Sequence, residues 1–257
     1  MKDFILYRQP VKESQFQNRE YKLSELENFP GSSKLGELEV VKQGSLKTTS
    51  DIGPYKVFEF SCEYYGPKPR VSPTHPLMPA KFELWQCPER SLIISFDPPK
   101  KVSRVAVALL SLASFGDPSL ILPLKLYPSD FLELKKRVGK LDGTLSQLVL
   151  HNVSSSGVKL KQVQFIGHRL EKLPNLNEML QRATEISCLG FIVPTFGEGG
   201  RKFSFRVVEW GGGQIYSPAD PLPHEISDFL DLFETTLVAS GKPAQVSPSK
   251  SKRATKK

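Results

Sequence analysis

Residues 55–65 read YKVFEFSCEYY, with Phe58, Phe60, Cys62 and Tyr64 alternating with Glu59, Ser61 and Glu63. Successive side chains of a strand point to opposite faces, so this segment predicts a half-buried β-strand. A strand over 35–47 precedes it, with a turn at Asp51–Pro54. Lys81–Gln86 and Ser91–Phe96 predict a hairpin around Pro88–Arg90. The run VAVALLSLASF at Val105–Phe115 predicts a buried helix over 102–115 that Gly116 ends.

Leu120–Leu126 predicts a strand, and Pro128-Ser-Asp opens a helix that reaches Val138. Ser129 is the expected cap, Asp130 and Glu133 lie in the first turn, and Lys135, Lys136 and Arg137 lie in the last, each favourable to the helix dipole. Strands over 147–152 and 158–165 lead to a helix over 175–183. A meander over 188–193, 202–209 and 214–216 follows, with turns at GEGG (197–200) and GGG (211–213). The last helix, 224–238, carries Ile226, Phe229, Leu230, Phe233 and Leu237 on one stripe. Residues 1–35 show little periodicity beyond a short helix at 24–28. The apolar run FILY at Phe4–Tyr7 is too short for a signal peptide.

Strands in adjacent groups argue against a parallel, doubly wound sheet. The expected fold class is α+β: mainly antiparallel sheets built from hairpins and a meander, with about four packed helices. The expected division is 1–140, containing a Pro-rich loop at 66–80; 141–241; and a basic tail at 242–257. The sequence SDFLEL at Ser129–Leu134 returns as SDFLDL at Ser227–Leu232, which leaves two readings open, related halves or a coincidence of helix-forming residues.

Charge changes the picture only once it is located. The chain has 35 Lys and Arg against 27 Asp and Glu, but its last 16 residues hold six of the cations and no acid. The tail is poor in apolar residues and is expected to be disordered. A balanced body lacks a strong long-range field, although it can carry local patches. Lys250, Lys252, Arg253, Lys256 and Lys257 in the tail are candidate phosphate contacts, since flexible cationic segments bind backbones without reading sequence. Candidate contacts on the body are Lys100, Lys101 and Arg104, then Lys135, Lys136 and Arg137, then Arg201 and Lys202. The acids Glu225, Asp228, Asp231 and Glu234 on the last helix would repel a nucleic acid and suit a solvated face or a basic partner.

Catalytic signatures are missing from the sequence. The three cysteines form no CxxC pair, and His75, His151, His168 and His224 have no metal-pair spacing. Buried, reduced cysteines are expected. GEGGRK at 197–202 lacks the helix and the Ser or Thr of a phosphate loop. Arg201–Trp210 has a basic start and alternating aromatics like an RNA-recognition strand, but Lys202 and Ser204 occupy positions that need small residues, so no family is assigned. His75 and Cys87, flanking the Pro-rich segment, would be the first suspects of a dispersed catalytic site.

The leading expectation is a non-enzymatic nucleic-acid-associated protein, its body docking on a nucleic acid or nucleoprotein and its tail on phosphates. The alternative is a subunit that contacts other proteins through the Pro-rich loop and the acidic helix. No metal, cofactor or membrane is called for, and the expected location is cytoplasmic, or nuclear in a eukaryote.

Overall fold

In the computed structural model the described residues are 1–11, 15–29, 38–67, 75–155 and 158–240. Twelve strands build one sheet: β1 (Lys2–Arg8), β2 (Tyr21–Lys22), β3 (Val41–Ile52), β4 (Tyr55–Tyr65), β5 (Leu77–Gln86), β6 (Leu92–Phe96), β7 (Leu122–Pro123), β8 (Thr144–Ser155), β9 (Val158–Ile166), β10 (Glu185–Phe196), β11 (Arg201–Val208) and β12 (Gly212–Ser217). Their order is β2-β3-β4-β5-β6-β1-β12-β11-β10-β8-β9, with the short β7 also paired to β1. Each recorded pairing is antiparallel. The helices are α1 (Leu23–Glu27), α2 (Lys100–Phe115), α3 (Pro128–Lys140), α4 (Leu176–Arg182) and α5 (Pro223–Ala239).

This corrects the expected fold class. The chain is sheet-dominated, with five helices against a single continuous sheet rather than several sheets in related halves. The physical reason lies in β1. Phe4 and Leu6 join the apolar cluster on one face, while Ile5 and Tyr7 join the cluster on the other. A strand covered on both faces has no polar alternation to display, so FILY reads as a featureless apolar run. It pairs with β6 on one side and with β12 on the other, and so joins strands drawn from both parts of the chain.

The two clusters define the layers. α1 and α2 cover one face over the β3–β6 region and β1. α3, α4 and α5 contribute to the cluster on the opposite face, which runs from β4 to β8. Phe229 of α5 anchors that side, stacking edge-on against Phe4 at 5.2 Å and Phe205 at 5.1 Å between centroids. Each such pair adds roughly 0.5–1.5 kcal/mol beyond burial. On the α2 face of β10–β12, Lys202, Ser204, Arg206, Gln214 and Tyr216 stay at least partly accessible, and no helix covers them among the described residues.

Several local expectations need amendment. β3 runs on to Ile52, and residues 35–37 lie outside the described set. β5 begins at Leu77 and includes Pro79 opposite Glu63, inside a stretch expected to hold no regular element; an isolated proline has a φ close enough to an extended strand to be accommodated. The expected strand over 120–126 shrinks to Leu122–Pro123. α3 starts at Pro128, with the carboxylate of Asp130, rather than Ser129, accepting the Tyr127 N–H at 2.7 Å. α5 starts in the same manner, Glu225 accepting the Leu222 N–H. Measured from these starts, Ser129 and Ser227 fall at different helical positions, so the SDFL echo does not superpose the two helices.

With β1 buried on both faces, Leu6→Ala should lower unfolding free energy by about 2–5 kcal/mol. Ile166→Ala, at a residue 74% exposed on the outer strand, should change it by less than about 0.5 kcal/mol. Urea denaturation of the two variants checks this, and equal losses would contradict the role given to β1.

Candidate functional site

β1 is paired unevenly along its length. Residues 2–5 face β12, residues 7–8 face β7, and Leu6 bridges the seam by donating to the Gly211 carbonyl at 2.9 Å and accepting from Leu124 N–H at 3.0 Å. Over this seam, on the α2 side, lies a cleft of about 440 Å³. That volume falls in the range of small-ligand sites. Ile5 and Tyr7 come from β1, Lys100, Ser103 and Arg104 from the start of α2, Pro123–Lys125 from β7 and its exit, and Glu209 and Trp210 from the turn before β12.

The glycines after Trp210 build its position. Gly211 has φ +75°, and a Cβ there would come 2.6 Å from the Leu124 carbonyl oxygen. At Gly212 a Cβ would collide with the Trp210 ring itself. Glycine thus lets the indole lie against its own chain, 37% exposed, at the lip of the cleft. The Lys100 ammonium sits 4.1 Å from the Trp210 ring centroid, a cation–π contact. Arg104 follows one helical turn later, and Lys125 approaches from the other wall. α2 has no side-chain cap and no acid in its first turn, so its N-terminal dipole adds to the positive field.

Two groups here have displaced titrations. Burial pushes the Tyr7 hydroxyl up to about 12, against the opposing effect of its hydrogen bonds with Ser103 and Ser95 and of the Arg104 charge. A hydrogen bond to Glu185, helped by desolvation and by that neighbour's charge, raises the Glu209 carboxyl above its ordinary value. Lys125 and His151 act in the opposite direction. The cleft lining contains neither His nor Cys. It can hold an anion and stack a planar group, and it presents no nucleophile with an adjacent base.

Of the sequence candidates, the structure brings Lys100 and Arg104 to this cleft, with Lys101 exposed on the same helical turn. Lys135, Lys136 and Arg137 lie on α3, whose core residues belong to the cluster on the opposite face of the sheet. There Arg137 Nε lies 3.0 Å from Glu133, Lys136 is 3.7 Å from the same carboxylate, and Lys135 donates to Asn177. Arg201 is consumed by Glu225, donating through Nε at 2.7 Å to a side chain that is otherwise buried. Lys202 is exposed on the open side of β11. Lys250, Lys252, Arg253, Lys256 and Lys257 lie outside the described residues, as does part of the Pro-rich loop.

The acids of α5 are largely spent on the fold. Glu234 accepts from Ser91 N–H, Ser91 Oγ and Leu92 N–H, and Arg90 binds both Asp231 and Glu234. Phe203 and Phe205 are fully buried against α5 rather than displayed. Cys62, Cys87 and Cys188 are free and buried, as expected. His75 hydrogen-bonds the Gly66 carbonyl, and Cys87 belongs to the core. Among the described residues no group of three His, Cys, Asp or Glu side chains could hold a metal, and no helix is long and apolar enough to cross a membrane.

A larger groove of about 920 Å³ runs beside α1, over β3–β5. Its Lys22, Lys42 and Lys81 face Glu27 and Glu63, and burial raises the thiol of Cys62 to about 11. Mixed charge and an inert thiol make it the weaker candidate. Sequence reasoning missed Tyr7, Lys125 and Trp210. The GGG run was their one local signal, because three glycines after an aromatic leave room for its ring. Comparison with models of known families and with curated proteins finds no match.

The raised Glu209 carboxyl favours the folded state in its protonated form. Its contribution is therefore complete below the ordinary carboxylate range and is lost as pH rises through the raised value. Glu209→Gln should raise the melting temperature above that range and leave it little changed in acid, as followed by thermal denaturation across pH. A pH-independent difference would contradict proton sharing with Glu185.

Proposed function

We propose that this chain is a non-enzymatic nucleic-acid-associated protein whose folded body engages the nucleic acid at the cleft over the β1 seam. The observation that carries the reading is the Lys100 ammonium over an exposed Trp210, in a cleft that Arg104 and Lys125 also line. Cations held beside a stacking surface suit an unpaired strand, whose phosphates and base faces are both accessible. Arg206 and Lys202 on the open face of β11 continue the positive surface away from the cleft, and Tyr216 adds an exposed ring. The basic tail supplies further contacts that do not depend on sequence. The reading implies a cytoplasmic protein, or a nuclear one in a eukaryote.

One observation favours the second reading, an assembly subunit. Tyr65, Leu77 and Met78 are exposed together at the end of the β4–β5 pair, where the Pro-rich segment departs. The acidic helix lends that reading less, since Arg90 and Arg201 already engage most of its carboxylates.

Fluorescence anisotropy with single-stranded DNA and RNA at several salt concentrations tests the proposal. Lys100→Glu with Arg104→Glu should weaken binding at least tenfold and flatten the salt slope by about 1.4, the value for two lost single-strand phosphate contacts. Trp210→Ala should cost about 1–3 kcal/mol. Lys135→Glu with Lys136→Glu, on the other side of the sheet, should change little. Unaltered binding by the α2 pair, or binding that depends wholly on residues 242–257, would contradict the reading.

A further inference from the structure

Unpaired backbone groups along the edge of a sheet template another strand, and folded proteins blunt such edges with bulges, prolines or very short outer strands. The two margins of this sheet differ in that respect. On one, the outer strand β2 is only two residues long, and β3 behind it shifts register against β4 between Val41 and Gln43 and again between Thr48 and Ser50. On the other, β9 pairs with β8 in continuous register and has no strand on its outer side among the described residues. Its sequence, VKLKQVQFI, contains neither proline nor glycine.

β9 also carries Ile166, at 74% exposure the most exposed large apolar side chain among the described residues, and Leu160 at 41%. Val163 and Phe165 are partly buried against the cluster that α4 helps to build. Alternation along the strand puts Leu160, Gln162, Gln164 and Ile166 on its other side.

This strand is complementary to itself. A second β9 laid antiparallel about a two-fold axis through Val163 sets Leu160 opposite Ile166, Gln162 opposite Gln164 and Lys161 opposite Phe165, with Val163 opposite its own copy. The two exposed apolar side chains then cover each other, the amides pair, and Lys161 meets an aromatic ring instead of a like charge. Centring the axis on Gln162 instead sets Leu160 opposite Gln164, and centring it on Gln164 sets Ile166 opposite Gln162, so Val163 is the favoured centre. A contact in which each residue meets its reciprocal is what a closed two-fold dimer requires.

We propose that the outer edge of β9 is a homodimer interface, through which two copies of this chain continue one antiparallel sheet across an axis at Val163. One strand edge buries less than a standard interface, so the dimer forms reversibly and grows with concentration. The inference does not depend on the nucleic-acid reading. The Ile166→Ala comparison above is accordingly made on dilute protein, where the monomer prevails.

Sedimentation velocity of the full chain without nucleic acid, over a range of concentrations, tests the proposal. The unaltered protein should pass from monomer to dimer. Gln162→Lys with Gln164→Lys opposes like charges twice across the axis and should weaken dimerisation roughly tenfold or more. Gln162→Lys with Gln164→Glu opposes unlike charges in the same register and should restore it. Both positions are exposed, so melting of the dilute variants by circular dichroism should match the unaltered protein, which separates a lost interface from a lost fold. A monomer at every concentration would overturn the proposal, as would assembly that passes directly to larger species. A dimer that the two-lysine variant leaves intact, or that the lysine–glutamate variant fails to restore, would place the interface elsewhere or in another register and overturn the assignment.

Discussion

The burial of β1 on both faces is the constraint on which the rest of the molecule depends. Ile5 and Tyr7 complete the layer beneath α2, while Phe4 and Leu6 complete the layer beneath α5. Its two edges pair with strands that arise far apart in the chain, β6 and β12. Contacts of such sequence separation are entropically expensive to close, and the apolar area buried on both sides is what offsets that cost. A polar residue at Phe4 or Leu6 would therefore disturb the layer beneath α5, and one at Ile5 the layer beneath α2.

The cleft is a consequence of the same strand. The edge of β1 is shared between β12 and β7, and neither covers Leu6 fully, so the backbone there is bridged by Gly211 and Leu124. The seam fixes the Trp210 turn against the β7 exit, with Leu126 N–H donating to the Glu209 carbonyl at 2.7 Å and Glu209 N–H to the Ser187 carbonyl at 3.1 Å. α2 ends its cover of the sheet at this point, so its positive N-terminus opens onto the seam rather than into the core. Lys100 and Arg104 are placed by a helix here, a firmer arrangement than loops provide.

Much of the secondary structure was legible in the sequence. The alternation in β4 and the apolar stripe of α5 each identified an element, because each buries one set of positions at a regular period, while α2 was legible as an aliphatic run too long for a strand. β1 escaped because burial on both faces erases that period, and the continuous sheet escaped with it. Pro79 concealed the start of β5 for a different reason, since a proline signal outweighs the pairing partner that overrides it. For the site, clustered lysines were visible but their partners were not. Arg201 looks as free in sequence as Lys100, yet one is tied to Glu225 and the other lies over Trp210. Lys125 and Trp210 are 85 positions apart in sequence and line one cleft because β7 and β12 both pair with β1.

The central claim, that a nucleic acid lies across Trp210 at the head of α2, is tested most directly by photocrosslinking. A single strand carrying 5-iodouridine would be irradiated with the full-length protein and the attachment site mapped by mass spectrometry. The account predicts crosslinks to Trp210 that disappear in the Lys100→Glu, Arg104→Glu protein. Crosslinks found only on peptides from 242–257 would contradict it.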